Sequence, residues 1–572
     1  MNATDPLWLE PHPVFRAPAG PVALIILDGV GIGPRDEGNA WHLARTPVLD
    51  ALMAGPVAGA LRAHGPAVGL PSADDLGNSE VGHNALGAGR IFDQGAKLVA
   101  EAIASGRIFS GAGSTWSWLL EPARAGRTLH LIGLWSDGNV HSHLAHAYAL
   151  IARAVAEGAA HVRLHLLLDG RDVGETTALD YLEPLEVRIA AWRAAGHDVQ
   201  VGSGGGRMRV TMDRYEADWR MVDLGWQTHV LGRGRAFASA SDAVRTLRAE
   251  TPGITDQNLP AFVIADARGP IGPVGSVGTI EDGDAVLFFN FRGDRAIEIS
   301  RAFQAPAGAF FPFERERVPA VRFAGMTQYD GDTKTPARYL VEPPVIERTI
   351  GEMLAHCGKR QLAISETQKF GHVTYFFNGN NSEPFDAARE RYVEVPSDRV
   401  DFAERPWMKA AEITDRCLAE IDTYRPDFVR LNFPNGDMVG HTGALLPAII
   451  AMEAVDLSLG RLLRGIHARG GVAVVLADHG NCEEMIERDK KTGQLVSEFD
   501  VHSATGARRF KPRTSHTTNP VPCAIVGAPT IVAPWSWAAP ADAGLTNVAA
   551  TCLALMGFAA PDDYRPSLIA PR

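Results

Sequence analysis

The chain has 572 residues, of which 46% are hydrophobic and 21% charged. That length exceeds what one hydrophobic core usually reaches, so two or more domains are expected, and the composition excludes a mainly disordered chain. A formal net charge of −12 argues against general nucleic-acid binding, and an anionic substrate would need a local cluster of Arg and Lys to reverse that field.

The five cysteines, Cys357, Cys417, Cys482, Cys523 and Cys552, include no Cys-x-x-Cys pair. The pattern fits reduced thiols in a cytoplasmic protein and argues against a disulfide framework or a thiolate zinc site. Residues 1–20 hold four prolines and no long apolar run. They read as neither a signal peptide nor a membrane span, but as an extension that is surface-wrapped or disordered.

The apolar run at 22–27 ends in Asp28-Gly29. It predicts a buried parallel strand with an acid at its carboxyl end, where open α/β sheets bind ligands. A loop is expected over 29–39, and Thr46-Pro47 opens a helix through Leu49 and Leu52. Gly77-Asn-Ser79-Glu-Val-Gly-His83 then reads as a polar loop, with Gly77 and Gly82 freeing the backbone so that Ser79 stands clear. A serine hydroxyl is a weak nucleophile until a base or metal activates it, so its role turns on partners elsewhere.

From about residue 97 the pattern is α/β again. A helix is predicted at 141–157, a strand at 162–168 and a helix at 176–195. A short strand at 199–202 precedes a glycine-rich segment at 203–207. Residues 258–279 read as loop or short hairpin. A strand at 285–291 leads into Arg292-Gly-Asp-Arg295 at a helix start. After 343, strands are predicted at 361–365, 428–433 and 472–477, with a helix at 445–464 making a βαβ unit. A strand at 522–526 and a helix at 547–556 close the chain.

Polar residues follow the later strands: Asp437-Met-Val-Gly-His441, Asp478-His479 and, near the end, Ser515-His516. With Asp28 and Ser79 they offer carboxylate, imidazole and hydroxyl donors without thiolate, which suits Mn²⁺, Zn²⁺, Co²⁺ or Mg²⁺. Two such metals would serve phosphoryl transfer. Each motif alone could be a helix cap with a hydrogen-bonded histidine, but their recurrence at successive strand ends weakens that reading. A second set is basic: Arg171, Arg207, Arg214, Arg292, Arg295 and Lys369, with His141 and Asp172. Arginine grips carboxylate and phosphate through paired donors, as a small multiply charged substrate requires. Arg292 and Arg295, three apart at a helix start, are expected on one face, and Arg209 reads as a solvated surface group. Gly202-Ser-Gly-Gly-Gly-Arg207 fails the dinucleotide pattern because position 207 is Arg.

Gly77–His83, Ser136-Asp-Gly-Asn-Val-His-Ser-His143, Asp169-Gly-Arg-Asp-Val173, Phe288-Phe-Asn-Phe-Arg-Gly-Asp-Arg295, Asp437-Met-Val-Gly-His-Thr-Gly443, Ala477-Asp-His-Gly-Asn481 and His516-Thr-Thr-Asn-Pro520 together resemble the motif set of cofactor-independent phosphoglycerate mutases of the alkaline phosphatase superfamily. The motifs run in family order from about Val22 to Pro522.

The resemblance implies an α/β protein. A discontinuous alkaline-phosphatase-like mixed-sheet domain would span 21–93 and 343–572, with an inserted α/β substrate-binding domain at 94–342. It implies interconversion of 3-phosphoglycerate and 2-phosphoglycerate through a phosphoserine at Ser79, without bisphosphoglycerate. Asp28, Ser79, Asp478 and His479 would hold one divalent metal and Asp437, His441 and His516 another, with Mn²⁺ first and Co²⁺, Mg²⁺ or Zn²⁺ as alternatives. His141, Arg171, Asp172, Arg207, Arg214, Arg292, Arg295 and Lys369 would bind substrate. A cytoplasmic monomer is expected, with no nucleic-acid or membrane partner. The 203–214 segment is one residue longer than in many bacterial members and looks like the plant-type branch, which leaves Arg207 and Arg209 as alternatives for one contact. Gly293 replaces a common proline. The rivals are a metal-dependent phosphatase or sulfatase, and a dead scaffold. The inserted basic region argues against the first and the complete ligand set against the second.

Overall fold

The computed structural model describes residues 5–70, 72–92, 95–111, 113–214, 218–265, 277–330, 333–342, 346–489, 492–499, 508–527 and 534–572. The chain divides into two compact units, Met1–Gln94 with Val345–Arg572, and Gly95–Pro344. The expected junctions at 93–94 and 342–343 fall on residues of which 93, 94 and 343 lie outside the described ones.

In chain order the first unit contributes strands β1 (Val22–Leu27) and β2 (Ala58–Leu61). The second contributes β3 (Thr128–Leu134), β4 (His161–Leu168), β5 (Asp198–Gly206), β6 (Arg235–Phe237), β7 (Phe262–Ile264), β8 (Ala285–Phe288), β9 (Arg322–Thr327) and β10 (Tyr339–Val341). The first unit resumes with β11 (Gln361–Glu366), β12 (Glu390–Val395), β13 (Phe428–Phe433), β14 (Val472–Leu476), the small antiparallel pair β15 (Ser497–Phe499) and β16 (Arg508–Phe510), and β17 (Val521–Gly527).

The first unit's sheet has the order β12-β11-β13-β1-β14-β17-β2. Its β12 to β14 segment is parallel, and β17 and β2 join antiparallel. All six residues of β1 are buried, as the continuous apolar run requires of a strand covered on both faces. The second unit's sheet runs β10-β9-β8-β3-β4-β5-β7-β6, parallel through β5 and antiparallel at β5–β7. Its two faces bury separate clusters: Leu129 and Leu131 of β3 pack on one side and Ile132 and Leu134 on the other. The α/β class with a mixed sheet thus holds in the first unit, and the second is α/β as well.

Two local expectations change. The strand expected to end at 202 runs on through the glycine run to Gly206. A Cβ at Gly204 would fall 2.5 Å from the Phe262 ring, and one at Gly206 would fall 2.3 Å from the Gln257 carbonyl oxygen. Close packing therefore selects glycine there. Arg292 and Arg295 precede the helix Ile297–Gln304 rather than standing on its face. Of residues 1–20, expected to be surface-wrapped or disordered, the described part from 5 onward takes the first form: Leu9 and Phe15 are buried, His12 N–H donates to Gly557 O at 2.7 Å, and Phe15 packs edge-on to Trp535. Among the described residues no helix is long and apolar enough to cross a membrane.

Candidate metal centre, nucleophile and arginine cradle

Ser79 is the first residue of the helix Ser79–Ala88, not a loop residue. Asn78 caps that helix, its side-chain oxygen accepting from the Glu80 and Val81 N–H groups at 3.0 and 3.2 Å. Neither Gly77 nor Gly82 takes a positive φ. What they supply is space: a Cβ at Gly77 would fall 1.9 Å from Ala63 O, and one at Gly82 would fall 2.9 Å from Asp478 O. The absent side chains let the serine-bearing helix approach the end of β14.

Strands β13, β1 and β14 are adjacent and parallel, so Asp437, Asp28 and Asp478 are delivered at one edge of the sheet. Ser79 Oγ lies 3.2 Å from Asp28 Oδ1 and 2.9 Å from His479 Nε2. His479 Nε2 is also 3.3 Å from Asp28 Oδ1. His441 Nε2 and His516 Nε2 each lie 3.0 Å from Asp437 Oδ1 and 3.0 Å from one another.

The chemistry of this last set fits a cation. His441 Nδ1 is 2.6 Å from the Thr514 carbonyl and His516 Nδ1 is 2.7 Å from the Gly77 carbonyl. A carbonyl only accepts, so each Nδ1 holds its proton and each Nε2 presents a lone pair. Two such lone pairs and a carboxylate oxygen converging at 3.0 Å call for a positive centre among them. Asp28 joins two further groups of possible ligands, one with His83 and Asp478 and one with Asp437 and His479.

Lys369 follows β11 and lies in the first unit, against the nucleophile, whereas the arginines with which the resemblance grouped it belong to the second unit. Its ammonium donates to Asp28 Oδ1 and Asp437 Oδ2, both at 2.7 Å, and to Ser79 Oγ. Burial alone would push the His479 imidazole down, but the carboxylates of Asp478, Asp437 and Asp28 outweigh it and lift His479 to about 9. Burial likewise would raise Asp437, yet the Lys369 ammonium beside it holds its carboxyl well below the usual range.

Sequence reasoning missed two supports. His83 Nδ1 donates to the Ser79 carbonyl at 2.7 Å. Asn432, inside β13, donates to Asp28 Oδ2 at 2.7 Å and faces His83 Nε2 at 3.2 Å. The available signals were the spacing of His83, one helical turn after Ser79, and a polar Asn near the carboxyl end of a buried strand.

In the second unit the adjacent strands β8, β3, β4 and β5 lead into Arg292 and Arg295, His141, Arg171 and Asp172, and Arg207. All of these side chains are buried, as is Arg214. Arg207 Nη1 donates to Asp169 Oδ1 at 3.0 Å and to Asp172. Arg292 grips Asp294 through two donors at 2.9 and 3.1 Å, and Arg214 reaches the same carboxylate at 3.5 Å. Asp294 also lies 3.6 Å from His141 Nδ1. Asp169 and Asp294 are thus the anchors of the cradle; Asp169 opens the motif that carries Arg171, Asp294 stands between Arg292 and Arg295, and neither was read for a role. Burial and then Arg207, Arg292, Arg295 and Arg214 hold His141 well below its usual range, so the ring is neutral. Arg209 is exposed, with one 3.4 Å hydrogen bond to Asn258 O.

The Metalloenzyme superfamily matches residues 20–560. A 2,3-bisphosphoglycerate-independent phosphoglycerate mutase of Trypanosoma brucei brucei is 51% identical over 555 residues, covering 96% of this chain and 98% of that protein. A probable mutase of the same kind from Arabidopsis thaliana is 49% identical, with 99% of each chain covered. A crystal structure of Leishmania mexicana phosphoglycerate mutase at low cobalt concentration superposes with a TM-score of 0.93 at 48% identity, over 99% of this chain and 100% of the other. With identity near one half from end to end and a metal-donor set at the sheet edge, this chain belongs to the 2,3-bisphosphoglycerate-independent phosphoglycerate mutase family.

Proposed function

We propose that the protein interconverts 3-phosphoglycerate and 2-phosphoglycerate, with Ser79 carrying the phosphoryl group between the two hydroxyls of a retained glycerate. The observation that carries this reading is the placing of Ser79 Oγ at a helix start, within hydrogen-bond reach of Asp28, His479 and Lys369. A helix N-terminus favours the negative charge a phosphorylated Ser79 would bring. Lys369 offers a positive charge at the same oxygen.

Asp437, His441 and His516 would hold one divalent metal, and Asp28, Asp478, His479 and Ser79 the other. Mn²⁺ is the ion we assign, and the cobalt present with the Leishmania mexicana enzyme is compatible chemistry. Bound there, such ions supply Lewis-acid stabilisation of phosphoryl oxygens and acidify the serine hydroxyl. Arg171, Arg207, Arg214, Arg292 and Arg295 pair with the carboxylate and phosphoryl groups of the substrate. Neutral His141 and the Asp172 carboxyl group hold the glycerate hydroxyls. A hydrolase has no need to keep the alcohol after phosphoryl transfer, and a cradle of this size supports retention. The free thiols of all five cysteines support a cytoplasmic setting, and we expect a monomer.

The test is an enolase-coupled assay on the purified protein without added bisphosphoglycerate, before and after chelation and with Mn²⁺ restored. Turnover that follows Mn²⁺ and needs no bisphosphoglycerate is expected. A strict need for bisphosphoglycerate, or release of inorganic phosphate in place of 2-phosphoglycerate, would overturn the reading.

A further inference from the structure

A continuous hydrogen-bonded chain of buried side chains crosses the second unit and takes no part in the chemistry above. His130 Nε2 lies 3.2 Å from Asp284 Oδ2, and His130 Nδ1 is 2.9 Å from His165 Nε2. His165 Nδ1 is 2.6 Å from Ser203 Oγ, which is 2.7 Å from His229 Nδ1. His229 Nε2 is 3.0 Å from Thr211 Oγ1. All six side chains are buried.

The direction of the chain is fixed from one end. Asp284 accepts from the Thr128 and Glu281 N–H groups at 2.9 and 2.8 Å, so it is an acceptor for His130 as well. Each imidazole must then donate toward Asp284 and accept from the other side. His130 donates to Asp284, His165 to His130, Ser203 to His165, His229 to Ser203, and Thr211 to His229. Burial pushes all three imidazoles down, His229 to about 3, and they remain neutral.

The far end is a backbone outlier. Thr211 has φ +71°, a left-handed conformation that β-branched residues rarely adopt and that persists only where the surroundings impose it. Its N–H donates to Met221 O at 2.8 Å, and a Cβ at Gly225 would fall 2.2 Å from its hydroxyl. The next residue, Met212, presents its carbonyl to Arg295 Nη1 at 2.6 Å. Arg207 and Arg214 stand four residues before and three after Thr211.

We propose that the chain from Asp284 to Thr211 is a positioning device that holds the left-handed turn at Thr211 and so sets Arg207, Arg214 and Arg295 for the anionic groups of the substrate. It rests on the assignment of those arginines to substrate binding. Thr211→Val keeps the side-chain volume and removes the donated proton, whereas Thr211→Ser keeps the proton. Thr211→Val should raise KM for 3-phosphoglycerate about tenfold with kcat little changed, the pattern of lost uniform binding. Thr211→Ser should restore KM to near wild type. Ser203→Ala, two side chains back along the chain, should raise KM in the same sense. Arg214→Ala separates the two readings. A wild-type KM in Arg214→Ala would sink the arginine assignment itself. A raised KM there, with wild-type KM in Thr211→Val, would overturn the positioning device alone, as would a Thr211→Ser variant as impaired as Thr211→Val. Should Ser203→Ala fail to fold, the Thr211 pair decides the matter.

Discussion

In the first unit Asp28, Asp437 and Asp478 follow the adjacent parallel strands β1, β13 and β14; in the second, Arg292, His141, Arg171 and Arg207 follow β8, β3, β4 and β5. The structural address is the same and the charge is opposite. Two buried histidines register the difference. His479 lies among carboxylates and is lifted to about 9, while His141 lies among arginines and is driven well below its usual value. Burial alone lowers both, so the sign of the neighbouring charge decides which form persists. A parallel sheet edge supplies position, and the residues placed there supply the chemistry.

The contrast breaks most completely at the nucleophile. Ser79→Ala should lower turnover by at least about 10³-fold, as loss of a covalent nucleophile does, while metal analysis still finds an ion held by Asp437, His441 and His516. Turnover near wild type would end the phosphoserine proposal. Metal removal should be nearly as severe and, unlike the substitution, reversible on adding Mn²⁺. A fully active metal-free protein would contradict it.

In the second unit Arg207→Ala leaves Asp169 and Asp172 facing each other as buried acids. Breaking a buried ion pair from one side costs about 3–5 kcal/mol, readable by denaturant titration, and substrate affinity should fall with it. Unchanged stability and KM would remove Arg207 from the cradle. The first unit should show a pH signature. The His479 pKa stands above its unfolded value of 6.5, so in metal-free protein its contribution is complete below that pH and is lost as pH rises through about 9. Metal affinity should run the other way, strengthening over the same range because the liganding imidazole must be deprotonated. Denaturation midpoints across roughly pH 6–10, with and without Mn²⁺, check both signs. The smallest effect belongs to Arg209→Ala, which should leave kcat/KM within about twofold, as exposed substitutions commonly do. A large loss there would move the substrate contact from Arg207 to Arg209.

The fold is most readable where burial is uniform. The run 22–27 is wholly apolar, and 428–433 is buried throughout although it carries Arg430 and Asn432; they are β1 and β13 with unchanged bounds. Ser79 reads as a loop residue because Ser79–Ala88 contains two glycines and is buried on nearly every side, so it carries no amphipathic stripe. The strand character of 202–206 is hidden for a related reason, since glycine there answers to Phe262 and Gln257 across space rather than to local propensity. At the site, the donors that follow strands can be found from the chain alone. Asp294 as the hub of Arg214, Arg292 and His141 cannot, because one carboxylate serving three partners is a property of packing. The same holds for the link from His83 through Asn432 to Asp28, whose bonded pairs are 349 and 404 positions apart.

The ammonium of Lys369, held between Asp28 and Asp437, bears on how the chain matures. Two carboxylates drawn together from distant parts of the sequence would repel one another during folding, before any ion arrives. A resident lysine relieves that repulsion from within. The first unit is therefore expected to assemble ahead of metal delivery, and a cell starved of the divalent ion would accumulate a folded, idle enzyme that revives on supply rather than an aggregate awaiting disposal.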